Sequence, residues 1–111
     1  MREIKFRYYD DVNKKMSEPF CVGSQLSMDA GWYGELMQYV GLKDKNGVEI
    51  YEGDIIEDEN GMIAKVYFAE GVAQFRLDFF NVGHFEELYD MDTTEVIGNI
   101  HEHPSLLTEA Q

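Results

Sequence analysis

The stretch from residue 36 to residue 56 limits what this chain can fold into, because its backbone must reverse or kink three times within about twenty residues. Its turn-forming residues are Gly41, the run Asp44-Lys45-Asn46-Gly47 and the pair Gly53-Asp54. Asn-Gly readily adopts the positive φ angles that tight turns need, and a Gly-Asp pair before a β-branched run is typical of a strand that bends within a small barrel. We therefore predict that this stretch ties short strands together, with turns or corners at Gly41, Asn46, Gly47, Gly53 and Asp54.

The spacing of apolar residues elsewhere predicts further strands. Ile4, Phe6 and Tyr8 alternate with charged residues, as in a half-buried strand. Pro19 should hold the strand over 16–22 to a sheet edge or interrupt it, because proline donates no ladder hydrogen bond. Asn-Gly at 60–61 predicts a hairpin between the strands on either side of it. Strands are expected over residues 3–8, 16–22, 36–40, 55–57, 62–68, 72–80 and 94–100, and the one over 72–80 should be the longest.

The remaining segments show no steady strand period. Residues 23–34 are predicted to form a loop, in which Trp32 and Tyr33 are candidate contacts for a partner. Residues 81–92 are expected to be irregular. Pro104 suits the first position of a short helix, whose leucines would cover an open end of a barrel. The sequence thus predicts a mainly β single domain over residues 1–111, a strongly bent sheet or SH3-like pseudo-barrel of short strands with a short C-terminal helical cap.

Five blocks of the sequence carry a resemblance to a known family. They are MREIKFR at 1–7, LMQY at 36–39, GLKDKNG at 41–47, IYEGDII at 50–56 and EVIGNI at 95–100. In order and spacing these blocks resemble the YopX family of phage and prophage proteins. The resemblance implies a small β-rich pseudo-barrel with a helical cap and a phage or prophage origin, and it brings no catalytic residues. The chain departs from the family over residues 24–33 and at His103, where an Asn usually precedes the proline.

The charge of the chain argues against one class of partner. Nine Lys and Arg against 22 Asp and Glu give a formal charge of −13, and no Lys or Arg follows Arg76. Such a field repels phosphate backbones, so direct binding of nucleic acid is disfavoured. Lys5 and Arg7 share a strand face with Glu3, so the basic N-terminal segment forms no concentrated stripe. The acidic surface either keeps the protein in solution or imitates the charge of DNA.

Few residues offer chemistry. Cys21 lies in an apolar run and is expected to be a small buried thiol, and the chain has no apolar run of membrane length, which favours the bacterial cytoplasm. A calcium loop is excluded at both Asn-Gly turns, because Ile56 and Leu42 occupy the position of the first ligand. His101 and His103 alternate as in a strand, but a structural or exposed role is favoured over metal binding. We therefore assign no catalytic, cofactor-binding or metal-binding residue and expect no cofactor.

The function expected from these observations is that of a non-enzymatic accessory protein of a phage or prophage. It would bind a protein partner, from host or phage, or a second copy of itself, and the edge over 16–22 is a candidate for self-association. The first alternative is an acidic DNA mimic that occupies a host DNA-binding protein. The second alternative is an uncharacterised enzyme. Neither direct binding of nucleic acid nor a membrane location is expected.

Overall fold

The computed structural model describes residues 4–21, 34–79, 84–87 and 91–109. Within these ranges, ten strands and one short helix follow one another along the chain. The strands are β1 (Lys5–Asp10), β2 (Lys15–Met16), β3 (Phe20–Cys21), β4 (Gly34–Lys43), β5 (Glu49–Tyr51), β6 (Asp54–Glu57), β7 (Ile63–Ala69), β8 (Gln74–Phe79), β9 (His84–Glu87) and β10 (Glu95–Asn99), and the helix is α1 (Ser105–Glu109).

In the described part of the chain the strands form two antiparallel sheets. One has the order β2-β1-β4-β5, with β3 also paired to β1, and the other has the order β10-β6-β7-β8-β9. The chain passes from the first sheet to the second at the corner between β5 and β6. The predicted mainly β domain with a strongly curled sheet and a short C-terminal helix is confirmed.

The core lies between the two sheets. Its side chains alternate along short strands, so each strand contributes one or two of them. The buried cluster consists of Ile50 from β5, Ile56 from β6, Ala64 and Val66 from β7, Leu77 and Phe79 from β8, and Met91. Val40, Leu42, Met62 and Val96 pack against this cluster and are partly buried. On β7 and β8 the more uniformly apolar faces point inward, through Ala64 and Val66 and through Leu77 and Phe79.

The segment over 16–22 follows the prediction made from its proline. It pairs with β1 as two strands of two residues each, β2 and β3, with residues 17–19 between them. Ser17 replaces the missing ladder contacts, because its backbone N–H donates to Tyr8 O at 2.8 Å and its Oγ accepts from Tyr8 N at 2.8 Å. An edge that is interrupted in this way is a poor template for pairing with another chain.

Two strand predictions were wrong. The longest strand is β4, with 10 residues, whereas β8 has six. The predicted strand over 36–40 continues through Gly41, which has φ of 91° and lies where the pairing of β4 with β5 shifts register. Gly41 therefore bends β4 instead of ending it, because a bulge absorbs the extra residue.

The expectation that 81–92 is irregular was wrong for its centre. Residues 84–87 form β9, which pairs with β8 through Leu77↔Glu86 and Asp78↔Phe85. An edge strand needs no alternating apolar pattern when neither of its faces has to fill the core. The sequence of such a strand therefore gives little indication of its structure. Residues 81–83 and 88–90 lie outside the described ranges.

The C-terminal end of the chain folds back onto β10. Leu106 N donates to His103 O at 3.1 Å and Leu107 N to Pro104 O at 3.2 Å, and the predicted helix begins at Ser105, one residue after the proline. Leu106 and His103 pack against β10 at Gly98. Over the residues that the structure describes, no helix is long and apolar enough to cross a membrane.

Candidate functional site

The corner between β5 and β6 is centred on Gly53. Its N–H donates to Val66 O at 2.8 Å, and its carbonyl accepts from Ile100 N at 2.9 Å, so this one residue bonds to β7 and to the end of β10. Its φ is 89°, a conformation that favours glycine. A Cβ at this position would lie 3.1 Å from Met37 Sδ, closer than an ordinary contact. Gly53 therefore permits both the backbone bend and the close approach of β4.

A buried ion pair lies directly beside this glycine. The Asp54 side chain is 1% exposed, and its Oδ1 pairs with the Arg7 guanidinium from β1. Its Oδ2 accepts from Tyr51 N at 2.8 Å, so Asp54 caps the corner as well as binding Arg7. The Arg7 guanidinium lies 4.6 Å from the centre of the Tyr51 ring. Burial raises the pKa of the Asp54 carboxyl, and Arg7 and the Tyr51 N–H oppose that shift.

A second ion pair continues the polar cluster towards β4. Lys5 Nζ pairs with Glu49 and lies 5.2 Å from the centre of the Tyr39 ring. The Tyr51 hydroxyl donates to Glu49 Oε1 at 3.2 Å. Burial raises the pKa of Tyr51 to about 12, and the Glu49 carboxylate adds to the shift. The phenol therefore stays protonated at neutral pH and acts as a fixed hydrogen-bond donor.

The inward direction of Arg7 was not predicted from the sequence. The alternation in β1 is present, but the buried residue is Tyr9, at 5% exposure, whereas Ile4 is 44% exposed. The face that carries Lys5, Arg7 and Tyr9 is thus turned to the interior. One signal could have found it: Asp54 precedes Ile55 and Ile56 in an apolar run, and a carboxylate buried there needs a cationic partner.

A small pocket opens beside the corner. It has a volume of about 120 Å³, with Glu35 and Glu52 on its rim and Met37, Val66 and Ile100 in its wall. Burial raises the pKa of Glu52, against a weak hydrogen bond from Gln38 N at 3.4 Å, and Glu35 adds to the shift. Lys65 also lines the pocket, so its charged side chains are of both signs.

The predicted turn at Asn46 and Gly47 lies at the exposed tip between β4 and β5. Its first residue, Asp44, was predicted only to be part of the turn, yet it is buried, at 4% exposure. Asp44 Oδ1 accepts from Asn46 N at 2.8 Å and from Val48 N at 2.9 Å. Its Oδ2 accepts from Val96 N in β10 at 2.9 Å. Asp44 thus forms a second joint between the two sheets.

The other residues considered for binding are placed as follows. Trp32 and Tyr33 lie outside the described residues. His101 stacks on Tyr9 with ring centres 4.7 Å apart, and its Nε2 is 3.4 Å from Glu35 Oε2. His103 Nδ1 accepts from Asn99 N at 3.2 Å. The two histidines are therefore used in different contacts, and the described residues contain no group of three side chains arranged as metal ligands.

Apolar side chains reach solvent at the end of the β7–β8 hairpin, residues 67–76, which we call the β7–β8 arm. The inward faces of the two strands continue from the buried pair Val66↔Leu77 to the pair Phe68↔Phe75. The Phe68 and Phe75 rings pack edge to face, with centres 5.1 Å apart. Phe68 is 39% exposed and Val72, in the turn, is 54% exposed. The apolar face of the sheet therefore extends past the core.

Comparison with known proteins gives a family and a structural relative. The model of the family described as YopX protein matches residues 3–108. The crystal structure of protein EF1440 from Enterococcus faecalis is similar to this chain, with a TM-score of 0.68 and 27% sequence identity over 96% of this chain and 99% of that one. No curated protein matches the chain.

Proposed function

This chain belongs to the YopX family, and on that premise we propose that it is a non-enzymatic accessory module that binds a protein partner or a second copy of itself. A phage or prophage origin and a place in the cytoplasm of a bacterial host are part of the same proposal. The observation that carries it is the β7–β8 arm, where the apolar face of the sheet continues into solvent.

The arm has the composition of a contact surface. Phe68 and Phe75 form an aromatic pair, and aromatic side chains are enriched in the buried centres of protein interfaces. Val72 adds an exposed apolar side chain at the turn. Scattered apolar side chains are common on protein surfaces, but here Phe68 and Phe75 pack on each other and extend a core face. A partner that covers this end would complete the burial that β7 and β8 begin.

The charge of the chain favours a different protein over a second copy. Each copy carries a formal charge of −13, so two copies repel each other at low salt. The same charge attracts a partner with a basic surface and increases the rate at which the two associate. We therefore expect the contact to be strongest with a partner that is less acidic than this chain.

The polar cluster at the corner supports a structural role and not a catalytic one. Arg7 pairs with Asp54, Lys5 pairs with Glu49, and the Tyr51 hydroxyl donates to Glu49. These groups therefore bind one another and hold the two sheets at the corner. A catalytic set would need such groups directed at a bound substrate.

A DNA mimic is the second candidate, and one observation favours it. Two of the five cations in residues 1–15, Lys5 and Arg7, are paired inside the fold at 15% and 14% side-chain exposure. The outer surface is therefore more uniformly acidic than the order of charges along the chain indicates. Such a surface repels duplex DNA and can compete with it for a basic protein.

The proposal is tested by capturing partners from host lysate on the immobilised protein at low and at moderate salt, beside sedimentation of the pure protein. The variant Phe68→Ser removes the exposed ring of the arm, which is 39% exposed, and Val12→Ser changes a more exposed apolar residue elsewhere, at 65%. If the arm is the contact, Phe68→Ser loses the partner or the self-association and Val12→Ser keeps it.

The salt dependence of capture and the effect of Phe68→Ser distinguish the two candidate functions. A charge mimic releases its partner steeply as salt rises, and Phe68→Ser captures as well as the wild type. Capture that resists salt and fails in Phe68→Ser supports contact through the arm. Both candidates are contradicted if the protein stays monomeric and if no captured protein depends on either salt or Phe68.

A further inference from the structure

The run Asp-x-Asn-Gly occurs twice, as Asp44-Lys45-Asn46-Gly47 and as Asp58-Glu59-Asn60-Gly61. The asparagine and glycine are exposed in both turns. We propose that Asn60 is a site of spontaneous deamidation in the folded protein, and that Asn46, in the same local sequence, is protected because its turn is attached to β10. This inference is independent of the proposed function.

The reaction needs only water and the chain itself. The backbone nitrogen of the glycine attacks the side-chain Cγ of the asparagine, a C–N bond forms, and the amide nitrogen leaves as ammonia together with the proton of the glycine N–H. Water then opens the resulting succinimide at either of its two C–N bonds, which gives aspartate or isoaspartate. The net change is the conversion of an amide and water to a carboxylic acid and ammonia. Glycine favours the attack because it has no side chain to obstruct it.

The two turns have the same local hydrogen bonds. Gly47 N donates to Asp44 O at 3.0 Å, and Gly61 N donates to Asp58 O at 3.0 Å. The glycine φ angles are 80° and 81°. The carboxylate accepts from the asparagine N at 2.8 Å in the first turn and at 2.9 Å in the second. In both turns the attacking nitrogen is therefore held by a carbonyl, and the turn must open before the reaction can start.

The turns differ in their attachment to the rest of the protein. Asp44 Oδ2 accepts from Val96 N at 2.9 Å, and Lys45 N donates to Thr94 O at 3.0 Å. At the Asp58 turn, the described part of the chain shows no hydrogen bond of this kind to another strand. Two further hydrogen bonds lower the population of the opened turn roughly tenfold or more, a tenfold change being about 1.4 kcal/mol. We therefore expect Asn60 to react at least about tenfold faster than Asn46.

The test is to incubate the folded protein in warm, mildly alkaline buffer and to follow the two sites by peptide mass spectrometry. Each conversion raises the mass of its peptide by the difference between an amide and an acid. The matched control is the chain in denaturant, where both turns are lost and the two sites have similar neighbours. We expect a large difference between the sites in the folded protein and a small one in the denatured chain.

Two matched variants show whether the attachment is the cause. Asp44→Ala removes the contact to Val96 together with the local bonds to Asn46 and Val48, whereas Asp58→Ala removes only the matching local bonds. The reaction of Asn46 should therefore be accelerated more by Asp44→Ala than the reaction of Asn60 is by Asp58→Ala. If Asp44→Ala does not fold, the comparison of folded and denatured wild type still decides. The proposal is overturned if Asn46 reacts as fast as Asn60 in the folded protein, if neither site reacts while the denatured chain does, or if denaturation leaves the ratio of the two rates unchanged.

Discussion

The corner between β5 and β6 and the β7–β8 arm differ in almost every physical respect. At the corner, a charged pair is buried and the Asp54 side chain is 1% exposed, whereas in the arm the aromatic ring of Phe68 is 39% exposed. The corner buries charged groups, which normally stay in contact with water. The arm exposes an aromatic ring, which normally lies in the core. A buried charge persists because its neighbours satisfy it, and the partners of the Asp54 carboxylate come from β1 and β5.

The family resemblance belongs to the first of these regions. Arg7, Met37, Asp54 and Ile100 each come from a different block of the resemblance, and they meet around Gly53. The residues of these blocks therefore help to join the two sheets. We infer that family membership identifies the fold of this chain through the corner, and that a contact with a partner should be sought in the arm.

The largest expected effect is on the ion pair. Asp54→Ala leaves the Arg7 guanidinium buried without a carboxylate, so the free energy of unfolding should fall by roughly 3–5 kcal/mol. Denaturant unfolding checks this value. The double variant Arg7→Met with Asp54→Leu removes both charges and should recover most of the loss. If the double variant is as unstable as Asp54→Ala, the two charges stabilise the fold through groups other than each other.

Gly53→Val should come next, with a loss of roughly 1–3 kcal/mol. The side chain would meet Met37 Sδ at 3.1 Å on a backbone with φ of 89°. A thermal melt compares this variant with Gly61→Ala, a glycine with φ of 81° and open space around it. A smaller loss of stability is expected at Gly61, and it measures the cost of the φ angle alone. If Gly53→Val melts at the same temperature as the wild type, the corner does not depend on a glycine and its proposed role is contradicted.

The second joint between the sheets should show a pH-dependent contribution. Burial opposes ionisation of Asp44, but hydrogen bonds from Val96, Val48 and Asn46 outweigh it, so its pKa lies below the ordinary value of 3.8. A carboxyl whose pKa is lowered by folding stabilises the protein above its unfolded pKa and loses that contribution as the pH falls through the folded value.

Asp44→Asn keeps the shape of the side chain and removes the charge. The difference in unfolding free energy between the wild type and Asp44→Asn should be largest above about pH 5 and shrink below about pH 4. Unfolding in denaturant across this pH range measures it. Asp58→Asn is the control, since Asp58 has the same local bonds and lacks the contact with β10 among the residues described. Equal pH dependence in the two variants would contradict the role of the contact with Val96.

The smallest expected effect on stability is in the arm. Phe68→Ser removes a ring that is already 39% exposed, so the free energy of unfolding should fall by only about 1 kcal/mol. Far-UV circular dichroism and a thermal melt should show the folded protein. A loss as large as that of Asp54→Ala would mean that Phe68 belongs to the core, and the contrast between corner and arm would fail.

Local sequence predicted the features that local interactions decide. The hairpin between β6 and β7, the turn at Gly47 and the helix after Pro104 depend on the φ preferences of glycine and proline, which neighbouring residues do not override. The inward face of β1 depends on whether a partner for Arg7 lies across the sheet, and that partner is 47 residues away. Asp44 and Asp58 show the same limit, because the same pattern Asp-x-Asn-Gly becomes a buried joint in one place and a half-buried turn in the other.

Contact through the β7–β8 arm is tested most directly by photocrosslinking from a single position. A photoreactive phenylalanine analogue is placed at position 68, and a second protein carries it at position 12, where Val12 is 65% exposed. Both are irradiated in living host cells, and the adducts are identified by mass. We predict a discrete adduct with one other protein from position 68 and none from position 12. No adduct from position 68, or the same adducts from both positions, would contradict the assignment of the arm as the contact surface.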